Sequence, residues 1–395
     1  MPKINHEILF WARETAGLEL EQAARKLMIK DGKTSSGAEK LAAYEAGTVH
    51  PSRALLLRMS KAYRRPLLTF YLDTPPRIGD RGEDFRTLPE HFESEDIAYV
   101  DAMIRDIKAR QSLMRETLVD EDEAIEHAFV GSAVIDQGVS QITQTLREML
   151  NIDLDDFRAQ GSYGEAFKYL RKKAEAKGIF VLLKGNLGSY HTNIDLKAFR
   201  GFALSDKVAP FIVINDRDAK SAWCFTLLHE IVHILLGQTG VSGSYAEKHI
   251  EKFCNDVASE FLLPDDEFVE FNIKNISDNE LADHITKYAL SLKVSSSHVA
   301  YRLYRKGALS KVRWEKLADF YRMQWVEQKE QQKIKARDQK GGPSYYVIQK
   351  FKLGALAEIA QRLNSSGALS TTKAGILLDI RPIKVHRLFE STQIV

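Results

Sequence analysis

Cysteine is nearly absent from this chain: Cys224 and Cys254 are the only two in 395 residues. Two thiols exclude a disulfide framework and fit a reducing compartment. Long apolar runs are missing too; none approaches the roughly 20 residues of a membrane-spanning helix. The start, Met1-Pro2-Lys3-Ile4-Asn5-His6, lacks the apolar stretch of a signal peptide. A cytoplasmic protein with no membrane partner is therefore expected. An excess of one charge sign is also lacking, with 56 Lys and Arg against 54 Asp and Glu. The total of +2 hides an asymmetry, because residues 1–75 carry +4, 76–160 carry −11, 161–310 carry +1 and 311–395 carry +8. Basic ends and an acidic second segment point to modules with different partners, or to solvated helix faces. With 44% hydrophobic and 28% charged residues, the chain has an ordinary soluble composition and length for two to four domains.

What is present centres on Phe225-Thr-Leu-Leu-His-Glu-Ile-Val-His-Ile-Leu-Leu-Gly237. The run contains His229-Glu230-Ile231-Val232-His233, an H-E-x-x-H string. On a helix, residues four apart share a face, so both imidazoles reach one metal ion and Glu230 stands beside it as a general base. The apolar flanks suit a helix buried inside a domain, and Gly237 supplies its stop signal. The competing reading is a buried helix whose histidines are satisfied by hydrogen bonds.

Taken in order, residues 4–75 read as a bundle of short helices, with segments near 4–16, 18–28, 36–46 and 54–63. This part resembles the helix-turn-helix of Xre/Cro-type repressors through Glu21-Gln22-Ala23-Ala24, Tyr44-Glu45-Ala46-Gly47 and Pro51-Ser52. It departs from that motif in the longer loop 29–35. The resemblance implies a DNA partner, with Ser36, Lys40 and Tyr44 facing bases and Lys33, Arg53 and Arg58 holding phosphates; a protein-contact module is the alternative. Residues 76–160 form a linker, marked by Pro75-Pro76 and Gly79, followed by an acidic helical region. Residues 139–149 and 163–177 carry helical spacing, and from Gly178 the pattern changes to strands near 179–183, 199–204 and 210–215. The last of these is the expected edge strand, able to take a peptide in extended form.

A second helix is predicted over 244–262, ended by Pro264, with Ile250, Phe253, Cys254, Val257, Ala258 and Phe261 on one face. Glu247 and Glu251 lie on or beside that face, and a catalytic zinc with three protein ligands needs one such carboxylate. Periodicity alone does not choose between them. The 225–237 string, together with Glu251-Lys-Phe-Cys-Asn-Asp-Val-Ala-Ser-Glu-Phe-Leu-Leu-Pro264, resembles the ImmA/IrrE family of metallopeptidases. The resemblance extends over about residues 178–310. It implies an α+β, mostly helical, zincin-like fold for 161–310, one Zn2+ ion held by His229, His233 and Glu251, and Glu230 as base. It also implies an orienting role for Asn255. Arg64 to Leu72 and Asp84-Phe85-Arg86 are similar to longer members that carry an Xre-type module in front.

Residues 277–307 predict a helix pair, 313–340 a long charged helix broken at Gly341-Gly342-Pro343, and 345–391 a small basic helical module. The expected activity is peptide-bond hydrolysis, with a repressor or antitoxin-like protein as the implied substrate. Tyr190, His191, Tyr245 and His249 are candidates for stabilising the oxyanion. Two rival readings stand beside it. One is a DNA-binding regulator whose metal site is structural or sensory. The other is a closed zinc site with Cys254 as fourth ligand.

Overall fold

The computed structural model describes residues 4–76, 94–238, 245–266, 276–338 and 342–391; the side chains of 94–95, 245–248, 332–333 and 335–338 lie outside the described set. The Asp84-Phe85-Arg86 segment and most of the loop after Gly237 therefore fall outside it. The chain divides into two units, residues 1–107 with 186–199, and residues 108–185 with 200–395.

The first unit begins with α1 (His6–Glu14), α2 (Leu20–Lys26), α3 (Gly37–Glu45) and α4 (Arg53–Ala62), followed by a 3-10 turn, Leu67–Tyr71. Side-chain caps explain where these helices start. Asn5, Ser36 and Ser52 each accept a hydrogen bond from a first-turn backbone N–H, and Ser36 with Glu39 completes a reciprocal capping box. Ile8, Leu9, Leu27, Leu41, Met59 and Phe70 are fully buried in a core of this unit's own. A buried ion pair, Arg13 Nε to Glu45 Oε1 at 2.8 Å, fixes α1 against the end of α3. Helix α5 (Ser94–Asp120) runs across the division point at residue 107.

In the second unit, α6 (Val139–Leu150), α7 (Leu154–Arg158) and α8 (Tyr163–Glu175) precede a three-stranded sheet. Strand β1 (Phe180–Leu183) pairs in parallel with β3 (Phe211–Ile214), and β2 (Gly201–Leu204) pairs antiparallel on its other side. The order is β1-β3-β2. The segment 210–215, expected at the sheet edge, is thus the central strand. All four residues from Phe211 to Ile214 are inaccessible, and an unbroken apolar run is what a strand covered on both faces requires. The edge strand β1 is equally buried and apolar, so it is the pairing of β3 with a strand on each side that makes it central.

Helix α9 (Lys220–Leu235) packs on β2 and β3 and against α8, and α10 (Tyr245–Leu262) packs against both α9 and α6. Helices α11 (Asp278–Ser291), α12 (Ser296–Arg305) and α13 (Lys311–Asp338) follow. Four short helices complete the chain: α14 (Tyr345–Leu353), α15 (Ala355–Ser365), α16 (Thr371–Leu377) and α17 (Val385–Glu390). The last group is locked to the sheet side of the unit. The buried Arg171 guanidinium donates to the carbonyls of Phe351 (2.5 Å), Lys352 (3.2 Å) and Val181, and pairs with Glu175 at 2.9 Å. Glu175 in turn accepts from the Ala355 N–H. Arg171 thereby satisfies carbonyls that the end of α14 leaves without helical partners. Among the described residues no helix is long and apolar enough to cross a membrane.

Candidate metal centre

Helix α9 is apolar almost throughout, and everything from Thr226 to Leu235 is buried. Its end is fixed by a Schellman motif. Gly237, at φ +69°, turns the chain so that its N–H reaches Ile234 O (2.9 Å) and the Gln238 N–H reaches His233 O (2.9 Å). Two further donors engage this end from the side, the Gly131 N–H sharing Ile234 O and the Ala133 N–H reaching Leu235 O. The α9 terminus is therefore held by four main-chain hydrogen bonds, which gives its last two turns a fixed orientation.

On that rigid segment His229 and His233 stand one turn apart, 8% and 7% exposed. Their Nε2 atoms are 3.1 Å from each other. Glu251, early in α10, closes the group, with its carboxylate 2.9 Å from His233 Nε2 and 3.2 Å from His229 Nε2. Among the described residues these three form the cluster able to hold a metal ion. The fit can be judged from the separations. An ion about 2.0–2.2 Å from each of three tetrahedral donors sets those donors about 3.3 Å apart. The two ring nitrogens are 3.1 Å apart, and each has a Glu251 oxygen at a similar distance, Oε2 to His229 and Oε1 to His233. Two imidazole nitrogens and a carboxylate oxygen are also a donor set suited to a borderline-soft divalent ion.

Local electrostatics follow from burial and proximity. Burial works against the Glu251 charge, yet hydrogen bonds from both imidazoles hold its carboxyl well below the usual carboxylate range. Burial likewise disfavours the His233 imidazolium, but contacts with Cys254 and Glu251 raise its pKa well above the ordinary histidine value. Glu230, 5% exposed, is pushed up to about 7, chiefly by burial, with the two histidines opposing and Glu251 adding to the rise. A carboxyl poised there suits proton transfer near neutral pH.

The structure separates the remaining candidates. Cys254 is fully buried and touches His233, but it stands outside the three-residue cluster, and burial pushes its thiol up, away from the thiolate a metal requires. Asn255 lies exposed on α10 and makes no side-chain hydrogen bond among the described residues, so the described structure gives its expected orienting role no partner. Tyr190 is 72% exposed, its ring tilted against that of His191 with centroids 3.8 Å apart, in the 186–199 segment of the first unit. His249 is exposed, and the side chains of Glu247 and Tyr245 fall outside the described residues. In the first unit, Ser36 is occupied as the α3 cap and Lys40 Nζ donates to Lys30 O, while Lys33, Arg53 and Arg58 are exposed and Tyr44 is half-buried.

Two contacts escaped the sequence reading. Gln238 Oε1 lies 3.3 Å from His233 Nδ1, a position created by the Gly237 turn and visible in sequence only as a polar residue after a stop signal. The His229 ring is steadied by packing instead: Phe225 stacks near it at 6.4 Å and meets His298 edge-on at 5.3 Å. His229 Nδ1 is buried without a hydrogen-bond partner among the described residues. His298, on α12, bonds Ser259 at 2.7 Å, and burial pushes it down to about 3, so it stays neutral.

A comparison with curated proteins finds no match. A family model described as the IrrE N-terminal-like domain, Peptidase_M78, matches residues 175–304. That span runs from the end of α8 through the sheet, α9 and α10 into α12. It supports a peptidase of the ImmA/IrrE type, with a metallopeptidase kind of function, for this part of the chain.

Proposed function

We propose that the second unit carries a zinc-dependent endopeptidase centre, in which His229, His233 and Glu251 would hold one Zn2+ ion and Glu230 acts as general base. The observation that carries this reading is the meeting of two imidazole nitrogens and one carboxylate within 3.2 Å, with Cys254 left outside the set. Three protein donors leave a position for water, as catalytic zinc sites do and closed structural ones do not. When bound, the ion lowers the pKa of a water molecule and polarises a peptide carbonyl. Glu230, its carboxyl buried beside the cluster, would accept a proton from the attacking water and return it to the leaving amine. Gln238 orients the His233 ring through Nδ1, and Phe225 holds the His229 ring in place.

The substrate class that fits this reading is a regulatory protein of the repressor or antitoxin kind, cut at one site. The N-terminal module is read as a DNA-binding helix-turn-helix, with α3 as the reading helix and Lys33, Ser36, Lys40, Tyr44, Arg53 and Arg58 as the contact set. Its self-contained core and capped α3 support that reading. A log–log plot of duplex affinity against salt tests it, since several phosphate contacts demand a steep negative slope.

The peptidase reading is tested by incubating wild type and Glu230→Gln with cell lysate and identifying new protein termini by mass spectrometry. Termini present with wild type and missing with Glu230→Gln are expected. Identical terminus sets from both proteins would overturn the reading and favour a regulator with a non-catalytic metal site.

A further inference from the structure

Strand β2 approaches α9 so closely at Gly201 that any side chain there would have to displace groups on the helix. A methyl group on Gly201 would lie 2.8 Å from Glu230 Oε1, 3.2 Å from Glu230 Cγ and 2.6 Å from Thr226 Cγ2. Non-bonded carbon contacts are ordinarily at least about 3.5 Å. The backbone does not call for glycine here, because Gly201 sits in regular antiparallel register opposite Ile214 and is not among the residues with positive φ. The requirement is spatial. Ala203, two residues along and so on the same side of the strand, carries its methyl group in the core without exposure. Room for a side chain is thus withheld where this strand face meets Glu230 at Gly201. Thr226 and Glu230 are one turn apart in the middle of α9, so the groups that would have to yield belong to a helix packed on several sides.

We propose that Gly201 is a positioning residue whose bare Cα forms the recess holding the Glu230 carboxyl beside the His229, His233 and Glu251 cluster. Its consequence for turnover rests on the peptidase reading above; its consequence for where the carboxyl lies does not. In Gly201→Ala the Glu230 carboxyl is expected to move together with the Thr226 methyl group, while the three metal-holding side chains stay in place, none of them being among the three nearest neighbours of the added methyl group.

Three measurements on the full chain test this. The first is the crystal structure of Gly201→Ala, in which the Glu230 carboxyl is expected to shift by about 1 Å, a displacement that can lower turnover on the order of 100-fold. A carboxyl in its original place overturns the proposal whether or not the protein is a peptidase. The second is kinetic: kcat falls while KM and zinc content stay near wild type, whereas Ala203→Gly lowers the melting temperature and leaves kcat intact. An unchanged kcat in Gly201→Ala overturns the proposal. The third is a double-mutant cycle, which also decides the matter if Gly201→Ala does not fold. Glu230→Asp shortens the crowded side chain, so Gly201→Ala should be less damaging in that background; equal damage in both backgrounds overturns the proposal. A displaced carboxyl in a chain whose wild type hydrolyses no peptide bond would sink the peptidase reading and leave the positional one standing.

Discussion

Gln238→Ala separates the orientation of a metal-holding histidine from the integrity of the helix that carries it. The Gln238 main-chain N–H caps α9 through His233 O, and that bond survives the substitution. What is lost is the side-chain oxygen 3.3 Å from His233 Nδ1. Partners of this kind are worth 10–100-fold in metal affinity. At 3.3 Å the bond is longer than the 2.9–3.0 Å optimum for N–H···O, so the lower end applies, about 10-fold, or about 1.4 kcal/mol. The melting temperature of the metal-free protein should stay the same, because Gln238 is only partly buried and contributes no core packing. Competition against a chromophoric zinc chelator measures the affinity. Unchanged zinc affinity, or a metal-free protein that unfolds earlier by as much as a core mutant, would refute the reasoning.

Other perturbations probe the frame around the site. Arg171→Leu leaves the Glu175 carboxylate without its cation, and Val181 in β1 and the end of α14 without this donor; breaking such a buried pair costs about 3–5 kcal/mol. Denaturant melts should show that loss, and limited proteolysis should cut first within 342–391. Asp379 is flanked by Lys184 (2.5 Å) and Arg110 (3.2 Å). Burial works against its charge, but those cations hold its pKa below the ordinary value. A carboxylate lowered in this way stabilises fully above its unfolded pKa of about 3.9 and progressively less as pH falls through the folded value. Asp379→Asn should therefore be less stable than wild type by about 1 kcal/mol at pH 7, the side chain being 46% exposed. The difference should shrink as melts are taken below the unfolded pKa and vanish once the pH lies below the lowered folded value; a gap that did not shrink with acidification would exclude the carboxylate as its source.

The sequence made the helices around the site legible because their signals are local. Gly237 and Pro264 mark the ends of α9 and α10 to within two residues, while α9 begins at Lys220, five residues before the Phe225 run. The choice between Glu247 and Glu251 was not local, since it depends on how α10 crosses α9, and the family resemblance supplied it. The sheet order was missed because four buried apolar residues read alike at a centre and at an edge until their partners are known. Gly201 and Gln238 were invisible for a related reason. One matters by the side chain it lacks against a helix 25–29 residues away, the other through a turn that a single glycine sets. Helix α7, with five residues, is too short to show periodicity.

Zinc content of purified protein by atomic emission tests the convergence of His229, His233 and Glu251 on one cation most directly. Wild type and Cys254→Ala should each carry one zinc per chain, and Glu251→Ala should lose it on dialysis against a mild chelator. Zinc retained by Glu251→Ala, or lost from Cys254→Ala, would contradict the three-ligand centre.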